Sequence, residues 1–285
     1  HKGVASDRIE HTMLPGLDRF DRSRLPYFAR FKESSDYLAT VADDIIARRA
    51  AAAAAGAPLG DDLLGLLLAA RDAEDGTALS HDEVRDETLT LILSGHETTA
   101  NVLTWALCHL RDRDDLWTAL AAEAAEHLPE GEAPDLRRVL AAPTAHAVMS
   151  ETLRLAPPVW VAPRRALEEV EIAGVTVPRG AHVLVSQYAS HRSERFFEHP
   201  DAFRPERWAG DLESTLPRGA YFPFGAGTRK CLGDQFALLE AHIILLELAR
   251  GPRPRPIAPG LPTAEPRATY RPAGGVPAMI VESGR

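Results

Sequence analysis

The sequence predicts a mainly α-helical fold with small antiparallel or mixed β-sheets, and three observations carry that prediction. Apolar residues recur at spacings of three and four through several stretches, the longest running from Ser80 past Leu107. Proline and glycine fall between these stretches more than inside them. The period changes to simple alternation between Val170 and Val185. The 285 residues are 45% apolar and 26% charged, a globular composition able to fill a large core. Apolar runs such as Leu63 to Ala70, which contains Gly65, fall short of the ~20 residues a membrane span needs. A net charge of −9 argues against nucleic acid or an acidic membrane surface as the main partner. Cys108 and Cys231 have no second cysteine at metal-knuckle spacing, which argues against zinc. A disulfide between them stays open, although the sequence does not look secreted and a cytoplasmic location is expected.

Residues 1–30 are mixed and punctuated by proline. Leu38, Val41, Ile45 and Ile46 then mark an amphipathic helix that runs through Arg48 and Arg49 into an alanine stretch ending at Gly56. A second helix is expected over 61–71, capped by Gly60 or Asp61. Ser80 with Glu83 forms a capping-box pattern at the head of the longest helix, about 30 residues or ~45 Å at 1.5 Å per residue. Further helices follow over 114–127, around 136–140, and over 143–155, the last closed by Pro157-Pro158. Val170, Ile172, Val175, Val177, Val183 and Val185 alternate around Gly174 and Pro178-Arg179-Gly180 as short antiparallel strands. Phe236, Leu239, Ile243 and Leu246 mark the last helix. Pro252 to Pro266 reads as a proline-rich connection, with strand-like segments around Thr269 and from Met279 to Val281.

Two clusters carry chemistry. In the middle of the long helix, Ser94-Gly95-His96-Glu97-Thr98-Thr99 sits where propensity disfavours it, because interior glycine costs up to ~1 kcal/mol against alanine and threonine is a poor helix former. Leu91, Ser94, Gly95, Thr98 and Val102 share one face, a small-residue notch against which a flat ligand can lie, with Glu97 beside it. A helix-packing notch with Thr98 bonded back to the carbonyl of Ser94 accounts for the same residues. The second cluster is Phe224-Gly225-Ala226-Gly227-Thr228-Arg229-Lys230-Cys231-Leu232-Gly233. Its alternate glycines permit a tight turn, and Cys231 falls at the entrance to the last helix, where free N–H groups temper the charge of a thiolate. For a cysteine taken alone, burial in a glycine-rich turn is the ordinary reading.

The second cluster fits F-x-x-G-x-R-x-C-x-G position by position and resembles the cysteine loop of the cytochromes P450. The first resembles that family's A/G-G-x-D/E-T/S motif, with Ser94 in place of the commoner Ala or Gly. Glu151 and Arg154, 80 residues ahead of Cys231 and followed by Pro-Pro, resemble its E-x-x-R helix. Glu247/Arg250 and Glu282/Arg285 share that spacing without the context. Phe203-Arg204-Pro205-Glu206-Arg207-Trp208 resembles its F-x-P-E-R-F/W segment.

The resemblance implies the C-terminal portion of a P450 fold, with residues 1–285 forming a single haem domain that lacks the family's N-terminal part. It implies haem b held through the Cys231 thiolate, with Phe224 and Gly225 in the loop, Arg229 and Arg164 toward the propionates, and Gly233 and Gly95 giving the ring room. Arg165 is read instead as the surface neighbour of Arg164. Thr98 donates to dioxygen or orders water around it, and Glu97 stands in the proton-delivery route. Glu151, Arg154 and Arg207 form a buried network that holds the fold. Ser94, Val159, Trp160, Val161 and Ala162 line the substrate pocket, although Trp160 serves equally as core. Arg271-Pro272 to Val276 resembles a late turn of the family that points into the same pocket. The implied reaction is insertion of one oxygen atom of O2 into a small apolar molecule, terpenoid or fatty-acid-like by likeness to bacterial members. Electrons would come from NAD(P)H through a separate ferredoxin or flavoprotein, since the chain carries no G-x-G-x-x-G. A non-catalytic haem-binding fragment and a same-fold peroxygenase or isomerase are the alternatives.

Overall fold

The computed structural model describes residues 26–131, 133–210 and 212–282. The reading of residues 1–25 as irregular, and the third E-x-x-R match through Arg285, lie outside the described residues. The fold divides into two compact units, His1–His96 and Glu97–Arg285.

In the first unit, helix α1 occupies Pro26–Ala54, so the stretch read as irregular is helical from Pro26. Gly56, at φ 93°, ends it, with Ala57 N–H bonded back to Ala52 O at 3.0 Å. Helix α2, Leu63–Ala69, is capped by Asp62 rather than by Gly60 or Asp61. The Asp62 carboxylate accepts from Gly65 N–H at 2.8 Å and pairs with Arg49 at 2.6 Å. A Cβ on Gly65 would come within 2.2 Å of Gly60 O, so the chain closes this turn only with glycine there. Helix α3, His81–His109, begins with the reciprocal capping box. Ser80 N–H donates to Glu83 Oε2 at 2.8 Å, and Glu83 N–H to Ser80 Oγ at 3.3 Å. Residue 97, within α3, opens the second unit.

The second unit holds its core among helices. Helix α4 is Asp114–His127, α5 Leu136–Leu140, α6 Pro143–Leu155 and α9 Asp234–Arg250. Val102, Leu110, Trp117, Leu120, Val148, Leu153, Leu245 and Leu246 are buried together between them and the end of α3. The Glu123 carboxylate of α4 accepts the Thr144 and Ala145 N–H groups at 2.5 and 3.0 Å, satisfying the open end of α6 from a neighbouring helix. Every residue of α6 from Val148 to Leu155 is buried, so this helix is the spine of the unit.

Four antiparallel ribbons attach to it. Strand β1 (Ala162–Arg165) pairs with β4 (His182–Val185), and β2 (Val170–Ile172) with β3 (Val175–Val177). The β2–β3 turn places Ala173 and Gly174 at φ 50° and 81°, a two-residue hairpin geometry. Strand β5 (Arg253–Pro256) pairs with β8 (Ala278–Val281), and β6 (Ala264–Pro266) with β7 (Tyr270–Pro272). The proline-rich stretch read as a connection therefore supplies two strands. Two-stranded ribbons leave each strand an open edge, where proline's missing N–H costs no ladder bond. A short helix α7 (Gln187–Ser190), a 3-10 turn (Pro205–Trp208), helix α8 (Leu212–Thr215) and a second 3-10 turn (Gly227–Arg229) lie between β4 and α9. No helix among the described residues is long and apolar enough to cross a membrane.

Candidate functional site

The cysteine loop ends at the N-terminus of α9. Gly225 and Gly227 take φ 74° and 71°, and this left-handed backbone lets the chain double back so that Cys231 N–H donates to Phe224 O at 2.8 Å. Phe224 is half-buried against the core, which anchors one end of the loop. The Cys231 thiol is free and exposed, so it is not the buried cysteine its residue type favours. Arg229 is exposed beside it, and Lys230 pairs with Asp234 at 2.5 Å. Leu232 is 93% and Phe236 64% exposed, leaving two large apolar side chains standing free next to the thiol. Phe236, one of the residues whose spacing marks α9, is exposed while Leu246 of the same series is buried. A Cβ on Gly233 would meet nothing within 4 Å. A free sulfur, an open apolar face and an unobstructed glycine suit a flat prosthetic group held through a thiolate at a helix N-terminus.

Glu151, Arg154 and Arg207 meet at one buried carboxylate. Glu151 and Arg154 are wholly buried and joined in two places, Arg154 Nε to Oε2 and Nη2 to Oε1, both at 2.9 Å. Arg207 Nε donates to Oε1 at 3.0 Å. Two partners went unseen in the sequence: Trp208 Nε1 donates to Oε2 at 2.8 Å and Arg204 N–H to Oε1 at 2.8 Å. The carbonyls of His191, Pro200 and Ala202 take the remaining Arg154 donors. Burial pushes the Glu151 carboxyl up, but hydrogen bonds and charge from Arg154, with the Arg204 amide and Trp208 indole, outweigh it and hold the group below the usual carboxylate range.

Glu97 lies in a second polar cluster. Thr269 Oγ1 donates to Glu97 Oε1 at 2.8 Å and accepts from Asn101 Nδ2 at 3.1 Å. Arg271 Nη1 stands 3.9 Å from Glu97 Oε1 and pairs closely with Glu265 at 3.0 Å. Thr269 is buried in the turn between β6 and β7, and Thr98 is half-buried one residue after Glu97. Nothing local in the sequence signals Thr269, which is 172 residues from Glu97.

The other predicted positions fall as follows. Ser94 and Gly95 belong to the first unit. Ser94 Oγ donates to Thr90 O at 2.6 Å, and a Cβ on Gly95 would meet nothing within 4 Å. His96 turns its Nδ1 to Ile92 O at 2.7 Å along its own helix. Arg164 and Arg165 are both exposed, and Arg164 Nη1 donates to Pro163 O. Val159 is exposed, while Val161 and Ala162 are half-exposed at the start of β1. The Trp160 indole N–H donates to Arg267 O at 2.8 Å, which ties the ring to the β6–β7 ribbon.

With this geometry in view, comparison with known proteins is specific. Residues 12–250 match the family model for cytochrome P450. Cyclooctatin synthase of Streptomyces melanosporofaciens is 42% identical over 196 residues, 69% of this chain and 42% of that protein. Cyclooctat-9-en-7-ol 5-monooxygenase of the same organism is 35% identical over 254 residues, 89% of this chain and 54% of the relative. Pentalenene oxygenase of Streptomyces avermitilis is 34% identical over 212 residues, covering 74% and 45%. The chain thus spans about half the length of the curated relatives it matches. Among solved structures, the haem domain of cytochrome P450DA superposes with a TM-score of 0.82 at 25% identity, over 98% of this chain and 59% of that one. The chain belongs to the cytochrome P450 family.

Proposed function

We propose that this chain is the haem-thiolate portion of a monooxygenase that inserts one oxygen atom of O2 into a small apolar molecule of terpenoid type. The observation that carries the reading is the free, exposed Cys231 at the head of α9, in a loop that matches the family's pattern and leaves an apolar face open beside the sulfur. The family implies haem, and haem b is the form proposed here. Bound through Cys231, haem supplies the activation of dioxygen.

This chain's own residues hold it and serve the reaction around it. Cys231 donates the sulfur, and the open N–H groups of α9 favour its negative charge. Leu232, Phe236 and Phe224 offer apolar surface, and Gly233 leaves room for close approach. The exposed cations Arg229 and Arg164 suit the propionates. Glu97 holds a carboxylate that can accept and release protons, with Thr269 fixing Oε1, and Thr98 carries a hydroxyl next to it. Val159, Trp160, Val161 and Ala162 are the proposed lining toward substrate. Support for the substrate class comes from the relatives named as acting on cyclooctat-9-en-7-ol and as pentalenene oxygenase. Electrons would arrive from NAD(P)H through a separate ferredoxin or flavoprotein docked on the cysteine side, in the cytoplasm.

The test is the reduced, carbon-monoxide difference spectrum of the haem-reconstituted chain beside Cys231→Ala. The expected result is a red-shifted Soret band that the variant loses. A band that persists in the variant, or none in the parent, overturns the assignment of Cys231 in this chain.

A further inference from the structure

The cysteine loop is short of regular structure of its own, so its position depends on what grips the segment leading into it. That segment, Ala220 to Pro223, has three side attachments. Tyr221 Oη donates to Ser150 O of α6 at 3.1 Å. The Tyr221 ring packs on Trp208 at 4.6 Å. The third is the His191 imidazole, whose Nε2 lies 2.9 Å from Phe222 N–H. A main-chain N–H can only donate, so Nε2 is the acceptor and the ring proton sits on Nδ1. His191 is fully buried. Burial, with the charges of Arg154 and Arg192 beside it, draws its pKa down to about 3 and keeps the ring neutral. The same residue's carbonyl accepts Arg154 Nη1 at 2.9 Å. From Phe222 the bonds continue into the loop: Gly225 N–H donates to Phe222 O at 2.9 Å, and Cys231 N–H to Phe224 O at 2.8 Å.

We propose that His191 is a positioning residue for the haem-ligating loop: its neutral imidazole pins Phe222 while its carbonyl is held by the buried Glu151–Arg154 pair, so that the ion-pair network sets where Cys231 stands. The functional meaning rests on Cys231 being the ligand, but the mechanical claim does not. Single partners of this kind matter because an amide N–H left buried without an acceptor is costly, whereas exposed loops find water instead.

The experiment is residue-resolved hydrogen exchange on the haem-free full chain, comparing the parent with His191→Leu, His191→Asn and His191→Gln. The leucine variant removes the acceptor, and the shorter asparagine stops before reaching Phe222 and carries the test if leucine does not fold. Glutamine restores an acceptor at similar reach. The expected result is exchange about tenfold faster at Phe222, Gly225 and Cys231 in the first two variants. Amides of α6 should keep their parental protection, and glutamine should recover the three loop amides. A change confined to Phe222 overturns the proposal, as does an equal rise at every amide or no recovery with glutamine. A parent chain that takes up no haem while the three amides respond as expected would separate the positioning role from the assignment of Cys231. With haem bound, the fraction giving the red-shifted carbon-monoxide band should fall in His191→Leu and return in His191→Gln.

Discussion

Replacing Glu151 by glutamine keeps the shape of the side chain and removes the charge that balances Arg154. In the parent both residues are wholly buried, and the carboxylate accepts from Arg154, Arg207, Trp208 and the Arg204 amide. Glutamine has one acceptor oxygen, so its NH2 group meets donors on one side. Breaking a buried ion pair by removing one partner costs about 3–5 kcal/mol. Arg154 keeps three carbonyl partners in His191, Pro200 and Ala202, which places the expected loss near the lower end, about 3 kcal/mol. Against a total stability of about 5–15 kcal/mol that loss is large. With a urea slope of about 2 kcal/mol/M the midpoint should fall by roughly 1.5 M at neutral pH. The Glu151 carboxyl is held below its ordinary range when folded, so its contribution is complete above the unfolded value of about 4.3 and is lost as pH falls through the lower folded value. The stability gap between parent and Glu151→Gln should therefore close in acid. A gap under about 1 kcal/mol at neutral pH, or one of the same size at every pH, would refute the reasoning.

Cys231→Ala should change the urea midpoint by less than the equivalent of about 0.5 kcal/mol, because the thiol is exposed and free, while abolishing the thiolate spectrum. Trp208→Phe keeps an aromatic ring against Tyr221 but leaves one Glu151 oxygen short of a donor, and should cost about 1–3 kcal/mol in the same assay. Thr269→Val removes the donor to Glu97 and the acceptor for Asn101. In a reconstituted, reduced enzyme it should lower product formed per NAD(P)H consumed, and Thr269→Ser should restore it. His242 is buried against His146 with neither ring nitrogen hydrogen-bonded among the described residues, and burial, with His146 adding to it, lowers its pKa to about 4. Since the unfolded chain binds that proton near pH 6.5, stability is lost as pH drops below 6.5. Between pH 7 and 5 the loss is about 2 kcal/mol, and denaturant titrations of His242→Leu should show that much less acid sensitivity.

What the sequence made legible was whatever lies within one local pattern. Helices α3, α4, α5 and α6 fall at or within two residues of the periodic stretches that announce them, and three of these carry their own cap or stop: Ser80 with Glu83 for α3, Asp135 for α5, and Pro157-Pro158 for α6. The cysteine loop is equally local, since its glycines and its cysteine are ten consecutive residues. The Glu151–Arg207 contact was legible through the family's motifs, and what stayed hidden were distant attachments outside any motif or unmarked within one. Thr269 lies in a stretch that reads as strand-like, Trp208 closes the F-x-P-E-R-F/W segment, and nothing in the sequence singles out Tyr221 or His191; only the fold brings them to Glu97, Glu151, Ser150 and Phe222. The same holds for β5, whose prolines mark it as irregular until β8 supplies a partner on its open edge. On the positioning proposed for His191, the cysteine motif encodes the loop's shape, whereas its placement depends on α6, on the Pro205–Trp208 turn and on His191. Substitutions at those positions should then act on the cysteine loop while leaving every motif residue unchanged, and a search of variants restricted to the motif would miss them.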